Sequence, residues 1–285
     1  MTVRIGRFEV KPLRAVRTAL ASLILVPSAA LIQTHQSARS WASATRRALA
    51  LSEDVKGVEK VQSHEQYLVA PLHEGFVDVL LLAHLPLDMR FVVRDELFDW
   101  TWLGRALHRT DQIRVNPEGG VEDFRQLLKD ADDTFDRGQS LVIFPQGSIL
   151  GIEAAFRRGP FRIADRLGVR VLPVVISGTH RVWEHPYSDR LRFGQHVSMR
   201  VLDPLPIGGA VAGMVDLERS MKQIALSADM APARHFEPER DGYWDGYSYA
   251  IDPAYPELAR QVAQHRSAVS GETQVDTPVD GVGPT

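Results

Sequence analysis

The chain has 285 residues, of which 44% are apolar and 24% charged, the balance of an ordinary globular protein with room for one large α/β domain and an accessory segment. It contains no cysteine, which excludes disulfides, zinc–thiolate and iron–sulfur sites, and a thiol nucleophile. The net charge of −3 is unevenly spread: residues 1–50 hold eight basic residues (Arg4, Arg7, Lys11, Arg14, Arg17, Arg39, Arg46, Arg47) against the single acid Glu9, so a basic end sits on an acidic body and asks for nucleic acid or an anionic lipid surface as partner.

The first elements choose between those partners. Ala19–Ile32 is an apolar run of 14 residues containing Pro27, shorter than the roughly 20 residues of a bilayer-spanning helix. It reads as a helix lying at the membrane interface, with a core helix or a signal segment as the other readings. A second helix runs to Leu51, with Trp41, Ala44, Ala48 and Leu51 on one side and Arg39, Arg46 and Arg47 toward another. Residues 1–51 are therefore expected to form a two-helix membrane-associating segment. It would hold the protein peripherally, or by shallow insertion, on the cytoplasmic face of an anionic membrane, with no nucleic acid as partner.

After a polar stretch at Ser52–Glu65, strand and helix signals alternate. Strands are predicted at Gln66–Leu72, Arg90–Val93, Gln112–Val115, Leu141–Phe144, Arg170–Ile176 and Val197–Val201. Helices are predicted at Val77–His84, Trp100–His108, Gly120–Arg137, Ala154–Leu167 and Met214–Met230. This alternation predicts, over residues 52–230, an α/β domain with a mainly parallel sheet covered by helices on both faces and a site at the carboxyl ends of its strands. Residues 231–266 read as an irregular aromatic extension (Tyr243, Trp244, Tyr247, Tyr249, Tyr255), and residues 267–285 as a disordered tail.

Four segments carry the chemistry. In Leu72-His73-Glu74-Gly75-Phe76-Val77-Asp78 a strand delivers His73, Gly75 permits a sharp turn, and Asp78 opens the next helix. A carboxylate folded back onto one ring nitrogen fixes the tautomer and leaves the other nitrogen to accept a proton, which suits activation of a hydroxyl. In Phe144-Pro145-Gln146-Gly147-Ser148 a rigid turn after a strand offers backbone donors and a hydroxyl for an oxyanion or polar substrate group. Arg157 and Arg158, followed by Gly159 and Pro160, could clamp a phosphate at a helix start, or form a solvated helix face. Leu172-Pro173-Val174-Val175-Ile176-Ser177-Gly178 is a core strand. No second His–carboxylate cluster lies near His73 in the sequence, which disfavours a metal-dependent hydrolase.

In this order the four segments resemble the glycerolipid and lysophospholipid acyltransferase family, which includes 1-acylglycerol-3-phosphate acyltransferase. His73 and Asp78 meet the family's H-x-x-x-x-D; Phe144, Pro145 and Gly147 meet part of F-P-E-G-T-R; Phe156–Phe161 resembles F-K-x-G-A-F, and Leu172–Gly178 resembles V-P-V-x-I-x-G. Phe91–Leu97 and Trp102-Leu103-Gly104 look like the link between the first two blocks. The resemblance spans Tyr67 to Pro206 and implies transfer of a fatty acyl group to a hydroxyl of a glycerol-phosphate-type or lysophospholipid acceptor. The donor it implies is an acyl-CoA or acyl carrier protein, with no metal or other cofactor. It also implies a substrate site built from Arg114, Phe144, Pro145, Gln146, Gly147, Ser148, Arg157, Arg158 and Gly159.

The sequence departs from the family at Gln146 (glutamate), Ser148 (threonine) and Ile149 (arginine). Arg114 is the basic group nearest to the second block's arginine, displaced by three positions. Since these arginines are associated with the acceptor's phosphate, lysophosphatidic acid is expected not to be the best acceptor. A non-catalytic, lipid-binding relative with a drifted substrate site is the alternative.

Overall fold

A computed structural model describes residues 3–5, 8–10, 35–75, 77–100, 103–116, 119–147, 155–182, 192–229, 260 and 263. The expected interfacial helix, Phe76, Trp102, Ser148, Ile149 and nearly all of the aromatic extension and tail lie outside these residues.

Two short strands, β1 (Val3–Ile5) and β2 (Phe8–Val10), pair antiparallel in register Arg4 to Glu9. The chain then runs through α1 (His35–Ala48), β3 (Ser52–Lys56), β4 (Tyr67–Pro71), α2 (Asp78–Leu82), β5 (Met89–Arg94), α3 (Leu103–Arg109) and β6 (Ile113–Val115). It continues through α4 (Val121–Asp136), β7 (Ser140–Val142), α5 (Arg158–Leu167), β8 (Arg170–Ser177), β9 (His196–Val201) and α6 (Ala210–Asp229). The seven strands β3 to β9 form one sheet in the order β3-β9-β8-β4-β7-β5-β6. Five of them, from β8 to β6, are parallel; β9 joins β8 antiparallel and carries β3 parallel to itself at the edge. The sheet is mainly parallel, as expected.

β4 lies between β8 and β7, and each of its residues Tyr67, Leu68, Val69 and Ala70 is fully buried. A central parallel strand is covered on both faces, so its sequence is a continuous apolar run rather than an alternating one. Leu68, Ala70 and Leu72 pack with Ala131 and Phe135 of α4, Phe161 and Ile163 of α5, and Met214 and Met221 of α6. Tyr67 and Val69 face the other way, toward Ala42 and Leu49 and toward Leu80, Leu81 and Leu82 of α2.

Several expectations are corrected. β3 was not expected: its sequence, Ser-Glu-Asp-Val-Lys, is polar and half exposed because it is an edge strand. The buried side of α1 carries Ala42, Thr45 and Arg46, while Ala44 and Ala48 are exposed. Arg46 displaces the apolar pattern because its guanidinium donates to Glu53 Oε1 at 3.0 Å and to the Leu80 carbonyl at 2.6 Å. Arg39 likewise donates to the carbonyls of Leu85 and Leu87. Two of the arginines expected to meet lipid are therefore engaged inside the domain.

α5 starts at Arg158 rather than Ala154, with Pro160 in its first turn, where a missing N–H costs nothing. α6 starts at Ala210, four residues before the predicted Met214. Asp165 of α5 accepts its first N–H groups, from Ala210 and Val211, at 2.8 and 3.0 Å. A cap supplied by another helix leaves no mark in the local sequence.

Candidate active site

The carboxyl ends of the adjacent strands β4 and β7 bring two of the predicted segments together. His73 Nδ1 lies 2.6 Å from Asp78 Oδ2. The same oxygen accepts the backbone N–H of Glu74 at 2.8 Å and of Gly75 at 3.2 Å, and Thr179 Oγ1 donates to Oδ1. Asp78 is fully buried. With the carboxylate ionised and accepting, Nδ1 carries the ring proton and Nε2 keeps its lone pair. A second restraint comes from the turn after β7: the His73 ring stacks on Phe144, with centroids 3.8 Å apart and planes 23° apart.

Glu74 and Thr179 were not singled out from the sequence. Glu74 is buried and its Oε2 accepts the Gly178 N–H at 2.8 Å and lies 3.1 Å from His180 Nδ1. The fold thus places a second His–carboxylate pair, distant in sequence, beside the first. Among the described residues no group of three His, Asp or Glu side chains is placed to hold a metal ion.

One of the donors expected from the turn after β7 is used within the turn itself. The Gly147 N–H donates to the Phe144 carbonyl at 3.0 Å, so it closes the turn instead of facing a substrate oxyanion. Ser148 lies outside the described residues. Gly147 has φ +69°, and a Cβ there would meet the Arg157 side chain at 2.9 Å, so the glycine lets the guanidinium lie against the turn. The Arg157 N–H donates to the Pro145 carbonyl at 2.8 Å, which fixes the start of α5 to the same turn. Gln146 is buried, 2% exposed, under the turn.

A cavity of about 780 Å³ opens from His73, within the size range of small-molecule sites. Its lining is mostly apolar: Trp41 and Ala42 of α1, Val79, Leu80 and Ala83 at α2, Met89 and Phe91 of β5, and Leu103 and Ala106 of α3 all contribute. Phe144, Pro145, Gly147, Arg157 and Gly159 line it from the other side, and Arg94 and Glu96, which pair at 2.8 Å, join them. Arg114 is not part of the lining; its guanidinium lies 4.6 Å over the Phe98 ring. Arg158 is also off the lining, on the exposed face of α5. The structure therefore gathers His73, Asp78, Phe144, Pro145, Gly147, Arg157 and Gly159, with Gln146 beneath them, and leaves Arg114 and Arg158 apart.

An oriented imidazole at the head of an apolar cavity can accept a proton from a hydroxyl presented there. The chain matches the acyltransferase family model over residues 53–177. It is 27% identical over 202 residues to a chloroplastic 1-acyl-sn-glycerol-3-phosphate acyltransferase of Arabidopsis thaliana, covering 69% of this chain and 54% of that one. It is 26% identical over 179 residues to a 1-acyl-sn-glycerol-3-phosphate acyltransferase of Helicobacter pylori, covering 60% of this chain and 75% of that one. The chain spans about half the length of the plant and algal relatives it matches. Its fold matches the crystal structure of PlsC, the 1-acyl-sn-glycerophosphate acyltransferase of Thermotoga maritima, with a TM-score of 0.56 at 16% identity, covering 77% of this chain and 97% of that one.

Proposed function

We propose that this protein transfers a fatty acyl group from an acyl thioester, an acyl-CoA or acyl carrier protein, to the free hydroxyl of a 1-acylglycerol-3-phosphate-type acceptor in phospholipid synthesis. The observation that carries the reading is the His73–Asp78 pair opening onto an apolar cavity. His73 Nε2 takes the proton of the acceptor hydroxyl as its oxygen attacks the thioester carbonyl. The tetrahedral intermediate collapses with loss of the thiolate, which takes up the proton from the imidazolium. No acyl-enzyme is formed, in keeping with the lack of a G-x-S-x-G turn. The filled hydrogen-bond set of Asp78 supports a working base over a non-catalytic lipid-binding relative. Thiol release from acyl-CoA and acyl carrier protein, measured over a panel of lysolipid acceptors, tests the reading; no release above the hydrolytic background with any acceptor overturns it.

Arg157 supports a phosphate-bearing acceptor despite Ile149, because its side chain lies on the cavity lining beside the Phe144–Gly147 turn. A charge-assisted contact to phosphate contributes about 1.5–3 kcal/mol. Arg157→Ala is therefore expected to raise KM for lysophosphatidic acid by roughly 10- to 100-fold while changing KM for a neutral monoacylglycerol little. Equal effects on both acceptors, or a native preference for the neutral one, would return the acceptor to the expectation drawn from Ile149.

The membrane contact extends beyond the N-terminal segment. Among the described residues no helix is long and apolar enough to cross a membrane. Arg158, Arg162 and Arg166 stand at four-residue spacing along α5, all exposed and with no ion-pair partner among the described residues. Basic residues near an anionic surface contribute about 1 kcal/mol each, so replacing all three by glutamine is expected to weaken binding to phosphatidylserine vesicles on the order of 100-fold, and salt should weaken the native protein in the same way. Vesicle sedimentation checks this, and unchanged binding would exclude this face of α5 from the contact.

A further inference from the structure

We infer that Thr179 is a positioning residue for acyl transfer: its hydroxyl holds the far oxygen of Asp78 and thereby sets the direction of the His73 imidazole. The inference rests on the proposed role of His73 as base. Asp78 Oδ2 is shared by three donors, His73 Nδ1 and the N–H groups of Glu74 and Gly75, all from its own loop. Oδ1 receives the Thr179 hydroxyl, from a turn that begins after β8, 101 residues further along the chain. Both residues are fully buried, so water is a poor substitute for the hydroxyl. Loop donors alone leave the carboxylate free to rotate about its Cβ–Cγ bond and exchange its oxygens. The bond on the opposite side removes that freedom.

The turn that carries Thr179 is itself pinned to the catalytic loop. Glu74, the residue after the base, accepts the Gly178 N–H at 2.8 Å and lies 3.1 Å from His180 Nδ1. Gly178 has φ +89°, the left-handed conformation that turns the chain out of β8 and brings the next hydroxyl over Asp78. Bonds from residues on both sides of Thr179 therefore fix its height above the carboxylate. Thr179 touches no reacting atom in this arrangement; it acts through Asp78.

Thr179→Val keeps shape and burial and removes only the donor. It is expected to lower kcat by about 10- to 100-fold with KM for both substrates within twofold, since the base is misaligned but the cavity is intact. The acid limb of the kcat/KM profile is expected to move to lower pH, because a carboxylate free to turn away from Nδ1 stabilises the imidazolium less. Thr179→Ser restores the hydroxyl and is expected to return kcat to within threefold of native. A Thr179→Val enzyme with native kcat and pH profile, a loss expressed in KM alone, or a folded Thr179→Ser that fails to recover would each overturn the inference. If Thr179→Val does not fold, Thr179→Ala is measured against Thr179→Ser by the same criteria.

Imidazole 15N NMR of His73 separates this outcome from failure of the transfer reaction itself. The native ring is expected as a single Nδ1–H tautomer, and Thr179→Val as a mixture, whether or not the acyl acceptor has been identified. One unchanged tautomer in the variant would remove the positioning role even if the protein is an acyltransferase.

Discussion

Replacing His73 by alanine is expected to lower kcat by about 1,000-fold or more, within the upper range for a general base, while leaving the thermal midpoint within a few degrees of native. His73 is half-buried, and its removal leaves the Asp78 carboxylate with the Glu74 and Gly75 N–H groups and the Thr179 hydroxyl still in place. Asp78→Asn separates charge from geometry. An asparagine can turn its oxygen toward His73 Nδ1 and the two backbone donors, and its amide N–H toward Thr179 Oγ1, which accepts as readily as it donates. The tautomer is then kept and only the negative charge beside the developing imidazolium is lost. A fall in kcat of about 100-fold or more with unchanged KM is expected, with the ring still oriented. Steady-state kinetics with a lysolipid and an acyl thioester measure both. A well-folded His73→Ala protein whose kcat is within tenfold of native removes the mechanism.

The parts legible in the sequence are those with local causes. β4 announces itself because a central parallel strand must be apolar throughout, and the His73-to-Asp78 spacing because both residues sit on one loop. β3 was not legible: an edge strand exposes half of its residues, and Ser52–Lys56 reads as a polar linker until His196–Val201 is seen beside it. The face of α1 was misread because Arg46 is buried, a placement that only Glu53 and the Leu80 carbonyl explain. Within the site, Thr179 stands two residues past a strand that reads as pure core, and Glu74 stands between His73 and Asp78 with no motif of its own. Their role exists only where the β4 and β8 ends meet. The same holds for the arginines. Spacing cannot tell Arg157, which lines the cavity, from Arg158, which points away from it, or show that Arg114 lies over Phe98.

Gly75→Ala is expected to be the most damaging single-methyl change in the site, for a reason other than the sharp turn the sequence suggests. Gly75 is not among the residues with positive φ, so an alanine meets no dihedral penalty there. The obstacle is space: a Cβ would lie 2.8 Å from the Thr179 carbonyl carbon and oxygen and 3.0 Å from the His180 nitrogen. Those are backbone atoms in a turn held by Glu74 and Asp78, so they cannot swing aside as a side-chain end could. Relief requires the catalytic loop and the turn after β8 to separate, which breaks the Thr179 bond to Asp78 and the Gly178 bond to Glu74 together. Overpacking of this kind typically costs about 1–3 kcal/mol of stability. A displacement near 1 Å at a reacting group costs on the order of 100-fold in rate. Gly75→Ala is thus expected to lower kcat on the order of 100-fold with a thermal midpoint reduced by a few degrees. Gly159→Ala, whose Cβ would meet only the Phe124 ring at 3.7 Å, is expected to keep native stability. Thermal melts and kinetics of the two variants side by side check the argument. If Gly75→Ala retains native kcat, the two loops do not need to meet as closely as they do, and the clamp on Asp78 carries no weight in the reaction.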